Sequence, residues 1–314
     1  MIINNTKSIL ILILFLFSIS AKSQLQVAIT VDDVPKGKIV SKEGYESKML
    51  NTLNALKIPI CIFINEGKLH KTDSIVEKTA LLDNWSSQKY ITLGNHSYSH
   101  FRYSEVGFDI FSDDIMKGEK ITKELSKKYK KPLKYFRFPY NDLGKDSLQH
   151  KQIADFLKQK NYQITPFTIE SIDWMYNSVY EYYMNQKDTV KAKAIGQNYV
   201  DKTLEYFTFF EELALKKYGR PIKQIYLCHD NNLNATYLPI LIEKLKLRKY
   251  KFISLDKALK DKVYKQKDIY TKKWGISWMY RWMDKQEERT LWMKKEPHTE
   301  DIEKLYQSIQ EQNK

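Results

Sequence analysis

Gln26-Val27-Ala28-Ile29-Thr30-Val31-Asp32-Asp33 decides how the rest of the chain is read. Its apolar, β-branched part (26–30) predicts a strand, and two adjacent carboxylates stand at that strand's end. Neighbouring carboxylates repel one another unless a positive group lies beside them. A pair that caps the next turn and a pair that divides its labour around a cation are both compatible with the residues. Extended chain points successive side chains to opposite sides, so one carboxylate is free to ligate while the other faces a reacting group.

Outward from this strand, short β-rich runs alternate with segments of helical period. Strands are predicted at 59–64, 90–93, 135–138, 162–167, 224–228 and 250–254, with helices at 44–57, 74–85, 108–129, 147–160 and 235–247. That alternation is the pattern of an α/β protein, a parallel sheet or barrel wrapped in helices. It stops at 177–218, a stretch rich in Tyr, Phe, Ala, Lys and Glu that predicts two or three helices. The remainder reads as a helical extension. In it Trp274, Trp278 and Trp282, spaced i, i+4, are expected to share one helix face, packed on the parent domain or offered to a sugar. The resulting division is 1–23, a barrel at 24–262 with a helical insertion at about 175–220, and an extension at 263–314.

Lys7, the apolar run Ile9 to Phe17 and the small residues Ala21 and Ser23 predict a cleaved secretory signal over 1–23. The run is too short to span a roughly 30 Å hydrocarbon core. A secreted or periplasmic chain without stable membrane insertion is expected, beginning near Gln24; no Cys follows the run to accept a lipid. The two cysteines, Cys61 and Cys228, each lie inside an apolar strand and predict buried free thiols. The formal charge of +14 is spread over scattered lysines. No basic block alternates with aromatics, which argues against nucleic acid as a partner, and no pattern assigns an oligomeric state.

The unusual polar residues fall just after predicted strands, where parallel α/β folds gather catalytic groups. Asp32 and Asp33 follow the first, His96 and His100 the third, Arg137 and Tyr140 the fourth; Asp173 comes next, then His229 and Asp230. One helical turn would aim His96 and His100 the same way. With a carboxylate they make three protein ligands and leave positions open, as a catalytic zinc ion requires. Ser97 stands where a zinc protease needs Glu. A two-His-one-carboxylate iron oxygenase shares the ligand set but leaves Arg137, Asp173 and His229 without work.

These segments resemble the polysaccharide deacetylase family, the NodB homology domain of carbohydrate esterase family 4. Thr30-Val31-Asp32-Asp33, His96 to His100, Arg137-Phe138-Pro139-Tyr140, Glu170-Ser171-Ile172-Asp173-Trp174 and Leu227-Cys228-His229 match its five motifs in order. The resemblance implies a distorted (β/α) barrel and a hydrolase that removes acetyl groups from an N- or O-acetylated glycan such as peptidoglycan or a chitin-like oligomer. It implies Asp33, His96 and His100 as ligands of zinc or another divalent transition metal, with Asp32 as the base that deprotonates the attacking water. Arg137 would hold Asp32, and the Tyr140 N–H would receive the oxyanion. His229 would be the acid, with Asp173 raising its pKa, and Trp174 and Leu227 would shape the acetyl pocket. Asn141 replaces the glycine usual after the motif tyrosine, and Glu170 replaces an aspartate. The insertion enters the rim between motifs, which leaves open a small non-carbohydrate amide or imide as substrate, or a glycan-binding protein that retains the fold without catalysis.

Overall fold

The computed structural model describes residues 24–35, 47–70 and 75–312. The predicted signal at 1–23 lies outside the described residues, as do the first turn of the 44–57 helix and Ser74.

Eight strands form one parallel sheet: β1 Gln26–Val34, β2 Ile60–Ile64, β3 Ile91–Asn95, β4 Tyr135–Phe136, β5 Gln163–Ile164, β6 Ile169–Glu170, β7 Lys223–His229 and β8 Lys251–Phe252. Their order is β5-β4-β3-β2-β1-β7-β6, with β8 paired to the start of β1. The sheet curls into a half-barrel with helices outside, so the expected distorted α/β barrel is the observed fold. β1 is central, and its Val27 to Val31 are buried without a break. A parallel strand covered on both faces reads as a continuous apolar run for that reason. Cys61 and Cys228 are buried and free, as expected.

Helices α1 Lys48–Leu56, α2 Ile75–Ser87, α3 Tyr103–Lys117, α4 Lys120–Lys128 and α5 Ser147–Gln159 wrap the first half. α6 Asp173–Asn185 and the thirty-residue α7 Thr189–Tyr218 form the insertion. α8 Asn232–Leu247, α9 Leu255–Ala258, α10 Trp278–Arg281, α11 Gln286–Met293 and α12 Glu300–Gln312 complete the chain. No described helix is long and apolar enough to cross a membrane.

Two expectations are corrected here. The single helix predicted at 108–129 is two, broken at Gly118. A Cβ on Gly118 would lie 2.4 Å from the Ser97 carbonyl carbon, so the helix bends where backbone meets backbone. The three tryptophans do not share a helix face. α10 begins only at Trp278, capped by the Ser277 hydroxyl, which accepts from the Met279 N–H. Trp278 and Trp282 are buried against Phe167 and Tyr264, while Trp274 precedes the helix and is exposed. Spacing alone could not show that a cap intervenes between the first indole and the second.

The extension also closes the sheet's seam. No ladder joins β5 to β6. Instead the Trp278 N–H donates to the Phe167 carbonyl at 3.0 Å and the Ser277 hydroxyl to the Thr168 carbonyl at 2.7 Å.

Candidate active site

β1 carries its carboxylates on a bulge. The register with β2 shifts between Val31 and Val34, and Asp33 adopts φ 68°. On the other side the register holds, with Asp32 opposite His229 and the Asp230 N–H donating to the Asp32 carbonyl at 3.0 Å. The two motifs farthest apart in sequence are therefore neighbours on adjacent strands.

His96 and His100 are brought together by a loop, not by the helical turn expected from their spacing. Ser97 and His100 both have φ near +60°. Asp114 of α3 accepts from the N–H groups of Tyr98 and Ser99, and the Asn95 side chain accepts from the Ser97 N–H at 2.7 Å. A local carboxylate that gathers loop N–H groups outcompetes the helix. The imidazole rings stand 5.1 Å apart. His96 Nδ1 lies 2.8 Å from the Arg137 carbonyl, leaving Nε2 to face Asp33.

Asp33 Oδ1 lies 3.5 Å from His100 Nε2 and 3.9 Å from His96 Nε2, and has no hydrogen-bond partner although buried. An orphaned acceptor facing two imidazole nitrogens is what a missing cation leaves behind. The three donors lie within 4.8 Å of one another, and two nitrogens with one oxygen fit a divalent transition metal. The other oxygen, Oδ2, is taken by Lys68 Nζ at 3.0 Å. Burial pushes the Asp33 pKa up, but Lys68, then His100 and His96, outweigh it and hold the group below the usual carboxylate range. Burial lowers both histidines to about 4, against the pull of Asp33, so they are neutral ligands at pH 7.

Arg137 is fully buried. It donates to Thr30 Oγ1 at 3.1 Å and the Pro166 carbonyl at 3.3 Å, and reaches Asp32 Oδ2 only at 3.5 Å. Burial raises the Asp32 pKa, and Arg137 opposes it without prevailing. A cation held by Asp33 would add to Arg137 and favour the ionised base.

Asp173 is the first residue of α6 and is saturated. Oδ1 meets His229 Nδ1 at 2.7 Å; Oδ2 accepts from the His229 N–H at 2.9 Å, Asn231 at 2.8 Å and Asn234 at 2.5 Å. Asn234 in turn accepts from Tyr199 of the insertion at 2.7 Å. Burial lowers the His229 pKa, but the charge and hydrogen bond of Asp173 outweigh it and bring it to about 10.

Tyr140 and Asn141 both lie in the left-handed region, φ 57° and 51°, where asparagine is tolerated almost as glycine is. The Tyr140 ring sits edge-on to His100 at 4.6 Å, with Arg102 stacked over it at 3.8 Å. Trp174 and Leu227 are not assembled as a pocket. Leu227 is 1 % exposed in the core, and Trp174 is half-exposed against Tyr306 of α12. Sequence reasoning missed Lys68, Asp114, Asn234 and Tyr199. Of these only the Asn231-x-x-Asn234 start of α8 has a readable signal, an N-cap, and that signal names no active-site task.

The rim of the curled parallel half-barrel carries a two-His-one-carboxylate cluster, with a carboxylate-paired histidine on the next strand. Residues 20–152 match the family model of polysaccharide deacetylases. The chain is 23 % identical over 177 residues to a peptidoglycan-N-acetylglucosamine deacetylase of Bacillus cereus. That match covers 56 % of this chain, which spans about half (54 %) of the relative's length. Among solved structures it resembles a carbohydrate esterase family 4 pseudoenzyme from Bacillus anthracis, with TM-score 0.50 and 16 % identity over 76 % of this chain and 66 % of that one. A mutant of that pseudoenzyme with restored enzymatic activity gives TM-score 0.50 and 18 % identity over 76 % and 68 % of the two chains. At such identities the likeness speaks to the fold.

Proposed function

We propose that the chain is a metal-dependent deacetylase of an N- or O-acetylated glycan, exported through its N-terminal signal, with peptidoglycan or a chitin-like oligomer as substrate. One observation carries the reading: the Asp32–His229 register sets an unsatisfied acidic cluster beside a histidine whose carboxylate partner is fully satisfied. A divalent metal, zinc by preference, held by Asp33, His96 and His100 supplies Lewis acidity to the acetyl carbonyl and to water. Asp32, oriented by Arg137, takes the proton of the attacking water. Asp173 keeps His229 protonated, and His229 delivers its proton to the leaving amine or alcohol. The Tyr140 N–H is assigned to the oxyanion. Base and acid on adjacent strands then flank one carbonyl carbon, and each has its charge set by a different neighbour.

The test is acetate release from N-acetylglucosamine oligomers, peptidoglycan and acetylated xylan, with added zinc and with a chelator. Release that needs metal and is lost in Asp32→Asn is expected. Metal-loaded protein that releases nothing from any of these, yet binds them, would assign the fold to glycan binding, the alternative that a pseudoenzyme among the structural neighbours makes concrete.

A further inference from the structure

The C-terminal extension reaches the catalytic rim. Gly275 lies so close to Tyr140 that a Cβ on it would sit 2.1 Å from the Tyr140 carbonyl oxygen and 2.8 Å from the Asn141 Cβ, so only glycine fits there. From this contact a crevice of about 170 Å³ runs to the end of β6, walled by α7 on one side and by the extension on the other. It has room for several waters, or for part of one sugar ring. One wall thus touches the residue assigned to the oxyanion. Glu170, the last residue of β6, also lines the crevice and lies in the field of His229 and Asp173.

The lining is chemically one-sided. It contains two carboxylates, Glu170 and Glu296, together with Tyr206, Phe210 and Tyr280, and no Lys, Arg or His. The Glu170 side chain makes no hydrogen bond or ion pair among the described residues, and Glu296 accepts from Tyr280 at 2.5 Å. Burial raises both pKa values, Glu170 to about 7, against the pull of His229 on Glu170. In a chain of formal charge +14, this crevice is lined by two carboxylates and no basic side chain, and the charges of His229 and Arg137 only partly offset the effect of burial on Glu170. Buried carboxylates without a counter-ion are costly, and a cation placed between carboxylates and aromatic faces is favoured. The Phe210 and Tyr280 rings stand 5.9 Å apart, tilted to one another.

We propose that this crevice is a subsite for the free ammonium group of an already deacetylated amino sugar, next to the sugar being processed, with Glu170 and Glu296 as its counter-ions. The inference rests on the deacetylase reading for its place in the reaction: removal of an N-acetyl group leaves a primary amine on the glycan. The enzyme is then selective for partly deacetylated strands and works best beside its own product.

The probes are a glucosamine tetramer and a glucose tetramer of the same linkage, titrated calorimetrically into the full chain at pH 7. Roughly tenfold tighter binding of the glucosamine tetramer is expected. Glu296→Gln and Glu170→Gln should each erase most of that preference while leaving the glucose tetramer unchanged. Because the protein is cationic, non-specific electrostatics oppose the effect. Equal affinity for the two oligomers overturns the proposal, and so does a preference that survives Glu296→Gln. Glu296 lies on the extension and is not one of the ligand cluster, so that variant carries the test if Glu170→Gln does not fold. A preference with no acetate release from any glycan would sink the deacetylase reading and keep the crevice. Release without the preference would do the reverse.

Discussion

The two halves of the rim solve opposite problems. On the metal side, Asp33 Oδ1 and Asp32 Oδ1 are buried without partners, and Asp33, Ser97 and His100 are held at positive φ. On the acid side, both oxygens of Asp173 are occupied, and its neighbours are themselves hydrogen-bonded back to Tyr199. Strain and orphaned acceptors on one side, saturation on the other, teach which half waits for something the chain does not contain. The first half is shaped to receive a cation. The second is finished by folding alone.

Removing that difference should have graded consequences. The largest effect belongs to the metal side: Asp33→Ala or His100→Ala should abolish zinc binding in a chelator competition and reduce acetate release by roughly 10³-fold or more. On the acid side, His229→Ala should cost about 10²–10⁴-fold in kcat while leaving zinc stoichiometry at one per chain. Bound zinc that disappears in His229→Ala would show that the halves are not independent.

The acid side also makes a prediction about stability. The folded His229 pKa, about 10, lies above its unfolded value of about 6.5, so the pair's contribution is fully present below pH 6.5 and lost as pH rises through 10. The gap between the two values is worth on the order of 5 kcal/mol before allowance for the imidazole's partial exposure. Urea unfolding of the metal-free protein at pH 7 and pH 10 should show that loss. Asp173→Asn should flatten the slope and move the alkaline limb of kcat downward. An unchanged slope in Asp173→Asn would remove the carboxylate as its cause.

The smallest effect should come from Lys68, which takes one oxygen of Asp33 and leaves the other for the ligand cluster. Lys68→Met frees that oxygen and removes a neighbouring positive charge. Zinc affinity should rise by about tenfold, and the visible bands of the cobalt-substituted protein should weaken as coordination number increases. An identical cobalt spectrum would show that Lys68 does not govern how Asp33 ligates.

This contrast also explains what could be read from the residues alone. Strand ends are local signals, so Asp32, Asp33, His96, Arg137 and His229 fell where the β runs stopped, and the fold followed from their alternation. The geometry between them was not local. The His96–His100 pair is aimed by Asp114 from the following helix, and the break at Gly118 exists because that loop lies against it. Asp173 is held by Asn231 and Asn234, and through Asn234 by Tyr199, partners that no motif spacing records. The tryptophan spacing misled for the complementary reason: a period of four is evidence of shared facing only inside one helix, and α10 starts too late.

The seam between β5 and β6 has a consequence in time. It is closed by Ser277 and Trp278, near the end of a chain that is made from its beginning. Nearly three-quarters of the polypeptide, through His229 of 314 residues, must leave the ribosome before β7 can join β1, and more than half of the remainder before the seam is tied. Base and acid therefore meet only late in synthesis. A nascent chain holding all five motifs still lacks the segment that bonds Phe167 and Thr168.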